Sequence, residues 1–163
     1  MPLPNGGTRR SMLPLHHRVL LADDDLEVRR GVEDLLLPLG LEIVHAESGL
    51  EALAIATLRD PRLDLMVLDM HMPGCTGLEV LSRLRQAPSF RVPCIFYSGE
   101  ATLEVERRAL EAGAWAFLRK PVQPDQLRGE VLRALRNDFP SDASPADALG
   151  PSGPIGPGGP RRG

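Results

Sequence analysis

Four aspartates, a serine and a lysine stand where apolar runs of this sequence end. Asp23, Asp24 and Asp25 follow "RVLLA", Asp69 closes "LDLMVLD", Ser98 closes "CIFYS", and Lys120 comes just after "AWAFL". Carboxylates gathered in one cleft are costly, because each disfavours ionisation of the next unless a cation joins them. An all-oxygen cluster suits Mg²⁺, which takes one or two carboxylates and keeps its other positions for water and phosphate oxygens. A carboxylate can also attack phosphorus to give an aspartyl phosphate. A lysine and a hydroxyl beside it would then neutralise or hydrogen-bond the oxygens of the transferring group. On this chemistry Asp23, Asp24 and Asp69 form a metal cradle, Asp69 is the nucleophile, and Lys120 and Ser98 attend the phosphoryl group.

For that chemistry to occur, these residues must meet at one edge of the fold. Short apolar runs rich in strand formers occupy 18–22, 41–46, 63–69, 94–98 and 114–118, and helical spacing fills 26–39, 49–58, 77–85, 103–112 and 124–137. Leu35, Leu36 and Leu39 fall on one face of the first helix, and Leu127, Val131 and Leu135 on one face of the last. Pro38 should distort or close the last turn of the first helix. Near-continuous apolar strands alternating with helices predict an α/β fold whose parallel sheet is covered on both faces. In the flavodoxin-like, doubly wound (βα)5 arrangement with strand order 2-1-3-4-5, strands one and three are neighbours about 4.8 Å apart. Asp23–Asp25 and Asp69 then share one edge with Ser98 and Lys120. In "AWAFLRK", strict alternation would put Trp115, Phe117 and Arg119 on one face of the last strand and Ala114, Ala116 and Leu118 on the other.

The rest of the composition narrows the possibilities. With 163 residues, 42% hydrophobic and 25% charged, one core is expected. A net charge of -3 argues against direct nucleic-acid binding. No apolar run approaches the roughly 20 residues of a membrane span, and no secretory signal is evident, so a cytoplasmic location is expected. Residues 1–17 mix Pro, Gly and basic residues, and 140–163 are Pro/Gly-rich; both are expected to be disordered tails around a domain at 18–139. Cys75 and Cys94 are expected as free thiols, Cys94 as core filling and Cys75 in an exposed loop.

Together "LLADDD", "MVLDMHMPGCTGLEVL", "FYSGEA" and "GAWAFLRKP" resemble the four signatures of the response-regulator receiver domain of two-component signalling, over about residues 18–137. The resemblance implies that Asp23 and Asp24 are the acidic metal-binding pair for Mg²⁺ and that Asp69 is the phosphoacceptor. It implies that the backbone carbonyl of His71 is a metal ligand, Ser98 the switch hydroxyl, Phe117 the switch aromatic and Lys120 the phosphate-contacting lysine. A cis Lys120–Pro121 bond is part of the same pattern. Ala22 and Gly99 depart from it slightly, and neither removes a reactive group. What is implied is a signalling switch, not an enzyme: it catalyses only its own phosphorylation and dephosphorylation. The phosphoryl source would be a sensor histidine kinase, a phosphotransfer protein or a small phosphodonor. The output would be a downstream protein partner or a self-dimer, through the face of the fourth helix, fifth strand and fifth helix.

Plainer readings stand beside these. Asp25 fits a helix cap, His71 a loop histidine, and "GCTG" at 74–77 a turn and helix start. A haloacid-dehalogenase-like, Mg²⁺-dependent phosphohydrolase would also use an Asp nucleophile, but it wants an aspartate two residues on, where His71 stands. A phosphorylation-independent interaction module would leave the acidic residues and Lys120 without a purpose.

Overall fold

A strand that helices cover on both sides must be apolar at every position, whereas an edge strand need not be. The computed structural model, which describes residues 17–58 and 62–136, separates its strands in this way. β3 (Leu65–Asp69) and β4 (Cys94–Ser98) are buried throughout, and β1 (Arg18–Ala22) at all but its first residue. β2 (Glu42–Ala46) and β5 (Ala116–Arg119) are partly exposed. The five strands form one parallel sheet in the order β2-β1-β3-β4-β5, as expected from the sequence. Five helices connect and follow them: α1 (Leu26–Leu36), α2 (Gly49–Thr57), α3 (Gly77–Arg85), α4 (Leu103–Glu111) and α5 (Pro124–Leu135).

Because successive strand residues point to opposite faces, the strands divide into two apolar layers. Leu20, Met66, Leu68, Phe96 and Phe117 pack with Ala52, Val80, Leu81 and Ala109 of α2, α3 and α4. Val19, Leu21, Val67, Ile95, Tyr97 and Leu118 pack with Val32, Leu36, Leu127 and Val131 of α1 and α5. Burying a Leu, Val or Phe side chain contributes about 1.5–3 kcal/mol, so this double layer holds the strand ends in register.

Several boundaries differ from the sequence reading for identifiable reasons. α1 ends at Leu36, and Pro38, which lacks an N–H, lies in a 3-10 turn over Leu37–Leu39 that Gly40 closes at φ 67. β3 begins at Leu65 because the Asp64 carboxylate accepts the backbone N–H of Arg18 at 2.9 Å, capping the sheet's lower edge. β5 runs Ala116–Arg119, two residues later than its apolar run starts. The chain turns through Gly113 (φ 91) into Trp115, whose N–H donates to the Cys94 carbonyl at 2.7 Å. The expected pairing of Trp115 with Phe117 on one face therefore fails. Trp115 packs on the α1/α5 layer and its indole N–H donates to Glu130 of α5, while Phe117 is buried against the α4 layer.

Other expectations hold. The Asp25 carboxylate accepts from Glu27 and Val28 N–H groups and caps α1. Thr76 and Glu79 form a reciprocal capping box that starts α3 within "GCTG". The Lys120–Pro121 bond is cis. Both cysteines are free thiols, but Cys75 is buried, not exposed, because its backbone lies against Gly49 at the start of α2. Among the described residues, no helix is long and apolar enough to cross a membrane. The tails expected at 1–17 and 140–163 lie outside the described residues, apart from His17, whose carbonyl accepts the Glu42 N–H.

Close packing of α3 on β3 depends on a missing side chain. A Cβ at Gly77 would lie 2.4 Å from the Asp69 carbonyl oxygen and 2.9 Å from the Phe96 ring. Gly77→Ala is expected to cost about 1–3 kcal/mol, since backbone must move. Gly31, exposed within α1, has nothing within 4 Å of its would-be Cβ, and Gly31→Ala is expected to stabilise by about 0.5–1 kcal/mol through helix propensity. Urea denaturation of the two variants checks both signs; a neutral Gly77→Ala would show that this contact does not fix α3.

Candidate acidic cleft at the carboxyl edge of the sheet

Register decides which side chains meet. Ala22 pairs with Leu68 and Asp69 with Tyr97, so Asp23 emerges beside Asp69, and Tyr97 lies on the far side of Asp69. Counting by twos along each strand, Asp23, Asp69, Tyr97 and Lys120 all fall on the α1/α5 face, whereas Ser98 and Phe117 fall on the other.

The carboxylates of Asp23, Asp24 and Asp69 converge, with one oxygen of each within 4.8 Å of the others. Asp23 and Asp69 are 0% and 4% exposed, and Asp24 opens to solvent. Lys120 stands between the buried pair, its Nζ donating to Asp23 Oδ2 and Asp69 Oδ1 at 3.2 Å each. Asp23 is further fixed by the Asp25 N–H on Oδ1 at 2.8 Å and by the Tyr97 hydroxyl on Oδ2 at 2.7 Å. Buried Arg29 donates to the Asp23 backbone carbonyl at 2.6 Å and to Glu47 Oε1 at 3.1 Å, placing a second cation beneath the cleft.

These surroundings set the charge states. Burial raises the Asp69 carboxyl above its ordinary value, and the neighbouring Asp23 adds to the rise; Lys120 and the His71 backbone N–H oppose it. Burial, reinforced by Asp23, also pushes the Tyr97 phenol well up, so its hydroxyl stays a donor. Burial raises the Cys94 thiol, in keeping with inert core filling.

The remaining residues singled out in the sequence do not all join the cluster. The Ser98 hydroxyl is fully buried and exchanges hydrogen bonds with the Glu100 backbone, at 3.3 Å as donor and 3.2 Å as acceptor, with none to Asp69 or Lys120. The His71 ring lies at the rim, half exposed, 3.7 Å from the Glu100 carboxylate, so its side chain is not part of the cradle. Asp25 is occupied in capping α1. Tyr97 and Arg29 were not anticipated. Tyr97 was legible by parity with Asp69; Arg29 lies one turn into α1, and only its buried contacts distinguish it from neighbouring Arg30. A further signal lies in composition: Lys120 is the only lysine among 19 basic residues. A compact ammonium with three rotatable donors can serve two carboxylates at once.

Since the Asp69 proton is held more tightly in the folded state than in the unfolded one, its ionisation costs stability at neutral pH. That cost is complete above the raised folded-state value and absent below the ordinary value of 3.8. Asp69→Asn should therefore raise the melting temperature of the metal-free protein at pH 7 by a few degrees, with the gain fading as pH falls toward the ordinary value. Thermal melts of both proteins in chelator across that range check this. A gain that persists unchanged at the acid end would point to packing instead of charge.

Comparison with known proteins agrees with this arrangement. Residues 19–132 match the family described as the response regulator receiver domain. The two-component response regulator ARR7 of Arabidopsis thaliana is 31% identical over 148 residues, covering 85% of this chain and 71% of that protein. The phosphate regulon transcriptional regulatory protein PhoB of Pseudomonas aeruginosa is 30% identical, over 77% of this chain and 54% of its own length; the chain spans about half or less of several other relatives. Among solved structures, the Vibrio cholerae chemotaxis protein CheY4 superposes with a TM-score of 0.66 at 30% identity, covering 74% of this chain and 99% of that one. A receiver domain from Clostridium thermocellum gives 0.69 at 27% identity, covering 75% and 96%. By sequence match, topology and the acidic edge alike, this chain belongs to the response regulator receiver domain family.

Proposed function

We propose that the chain is a phosphorylation-controlled switch in which Asp69 receives the phosphoryl group. The observation that carries this is the Lys120 ammonium, equidistant from Asp23 and Asp69 beside an exposed Asp24. A carboxylate oxygen of Asp69 attacks phosphorus of an acyl phosphate or a phosphohistidine. The new P–O bond forms as the bond to acetate or imidazole breaks, and Lys120 turns from Asp69 to an oxygen of the transferred group. The donor set, three carboxylate oxygens around one point, fits Mg²⁺ held by Asp23, Asp24 and Asp69 with the His71 carbonyl, where it would offset the negative charge of the incoming phosphoryl oxygens. Later attack of water on phosphorus releases inorganic phosphate and restores the carboxylate.

The switch follows from where the remaining residues stand. To reach the phosphoryl oxygens, the Ser98 hydroxyl must leave its Glu100 partner, and Phe117, on the same face of the sheet, would move into the space it vacates. Going from 1:99 to 99:1 active requires about 5.5 kcal/mol of differential stabilisation. The surface that would change is α4–β5–α5, where Leu103 and Leu110 are 79% and 46% exposed and Arg119 pairs with Glu106. A sensor histidine kinase or phosphotransfer protein would supply the phosphoryl group, and a protein partner or a second copy would read that surface. A haloacid-dehalogenase-like hydrolase is not favoured: its second aspartate is replaced by His71, whose ring sits at the rim beside Glu100.

Acetyl phosphate with Mg²⁺ is expected to label Asp69, read by mass spectrometry. Phosphorylation of the parent is expected to alter Trp115 fluorescence; Asp69→Asn should take no label, Asp24→Ala should need much more Mg²⁺, and Lys120→Ala should be labelled without that alteration. Label on another residue would sink the scheme. The His71–Glu100 pair at the rim borders the path of the attacking water. His71→Ala and Glu100→Ala are expected to change the decay rate of phospho-Asp69 while leaving labelling intact; unchanged decay in both removes them from the mechanism.

A further inference from the structure

Tyr97 shares the α1/α5 face of β4 with Ile95, which is purely apolar, yet it ends in a hydroxyl. The side chain is 1% exposed, and its hydroxyl donates to Asp23 Oδ2, the same oxygen that Lys120 Nζ reaches at 3.2 Å. The Lys120 ammonium also lies 4.8 Å from the Tyr97 ring centroid, within reach of the negative face of the ring. An ionised carboxylate offers about four acceptor positions. Three of those on Asp23 are filled by the chain itself: the Asp25 N–H, the Tyr97 hydroxyl and Lys120.

Two donors on one oxygen compete. With the hydroxyl in place at 2.7 Å, Lys120 does not close fully on Asp23 and keeps an equal hold on Asp69. Without it, Lys120 would be the sole side-chain donor to Asp23 and would be drawn away from Asp69. The hydroxyl also withdraws charge from Asp23, lowering the attraction of the cleft for a cation. We propose that Tyr97 is a positioning residue: its hydroxyl shares Asp23 with Lys120 and its ring seats the ammonium. Lys120 then stays poised over Asp69, and part of the Asp23 charge is withheld from a bound ion. This rests on the phosphoacceptor reading of Asp69.

Composition makes the test clean, because Tyr97 is the only tyrosine and Lys120 the only lysine, so ¹³C labelling of either type gives one signal from the full chain. The Lys120 ε-CH₂ protons should be shifted upfield by the ring in the parent and in Tyr97→Phe, and not in Tyr97→Leu. Titrating Mg²⁺ against that signal gives the affinity, and acetyl phosphate at saturating Mg²⁺ gives the labelling rate. Tyr97→Phe is expected to bind Mg²⁺ about two- to fivefold more tightly and to label about three- to tenfold more slowly. Opposite movement of the two is the signature, since a merely loosened fold would weaken both. Unchanged values, or a parallel fall in both, overturn the proposal. The parent run alongside separates the two readings. A parent that takes no label at Asp69 overturns the phosphoacceptor reading and this proposal with it, whereas a labelled parent with an indifferent Tyr97→Phe overturns this proposal alone.

Discussion

Two carboxylates taken out of water at neighbouring strand ends, with one ammonium between them, are the constraint on which this molecule is organised. Asp23 and Asp69 are almost fully buried, and Lys120 is the side-chain cation that touches both. Burying a charge costs several kcal/mol unless partners replace the lost water. Here the replacement is supplied by backbone N–H groups, one lysine and one phenol, each delivered by a different element. The fold must therefore hold four chain segments, 23–25, 69–71, Tyr97 and Lys120, to hydrogen-bond tolerance at a single edge. A parallel sheet with both faces covered can do so, because its registers are set by two apolar layers far from the charges.

The cost is not fully compensated, and that is functionally apt. Asp69 keeps a raised affinity for protons because burial and Asp23 together outweigh Lys120 and the His71 N–H. A site already satisfied by its own protein would have no affinity to spare for a cation or a phosphoryl group. The uncompensated part of the burial cost thus falls on Asp69, the acceptor proposed above, while Asp23, bound by three donors, serves as the fixed point. Arg29 and Glu47 extend that fixed point into α1 and the turn before α2, along the same edge of the sheet as far as β2.

Much of this was legible in the sequence because it depends on local rules. A covered parallel sheet followed from the apolar strands alternating with helices, and the meeting of Asp23, Asp24, Asp69 and Lys120 followed once the sheet was given the flavodoxin-like order. What escaped has physical causes. Pro38 does distort the last turn as expected, but the left-handed Gly40 that ends the resulting 3-10 turn was not singled out. Trp115 left the alternation because the Gly113 turn delivers it before β5 begins, and Glu130, distant in sequence, holds its indole. Ser98 and Lys120 end neighbouring strands but point to opposite faces, so adjacency at the edge did not make them contact. Tyr97 read as one more strand residue: its parity with Asp69 puts it on the right face, but the reach of its hydroxyl to Asp23, two strands away, is a tertiary distance.

That division of faces bears on how a change at Asp69 could be felt elsewhere. The charged cluster falls on the α1/α5 side and Ser98 and Phe117 on the α2–α4 side, so Asp69 and the residues proposed as the switch meet only at the open carboxyl edge. β4 carries Tyr97 and Ser98 as consecutive residues on opposite faces, one bonded to Asp23 and the other to the Glu100 backbone at the approach to α4. A buried, fully hydrogen-bonded strand resists displacement along its length, yet its last two residues have partners outside the sheet. Rotation at that end can exchange the Ser98 partner without breaking the β3–β4 ladder, which runs from Met66–Cys94 to Asp69–Tyr97. With Tyr97 anchored to Asp23, such a rotation is confined to Ser98 and the loop beyond it. Were Asp69 phosphorylated as proposed above, the α1/α5 side would keep Asp23 and Lys120 aligned while Ser98 changes partner.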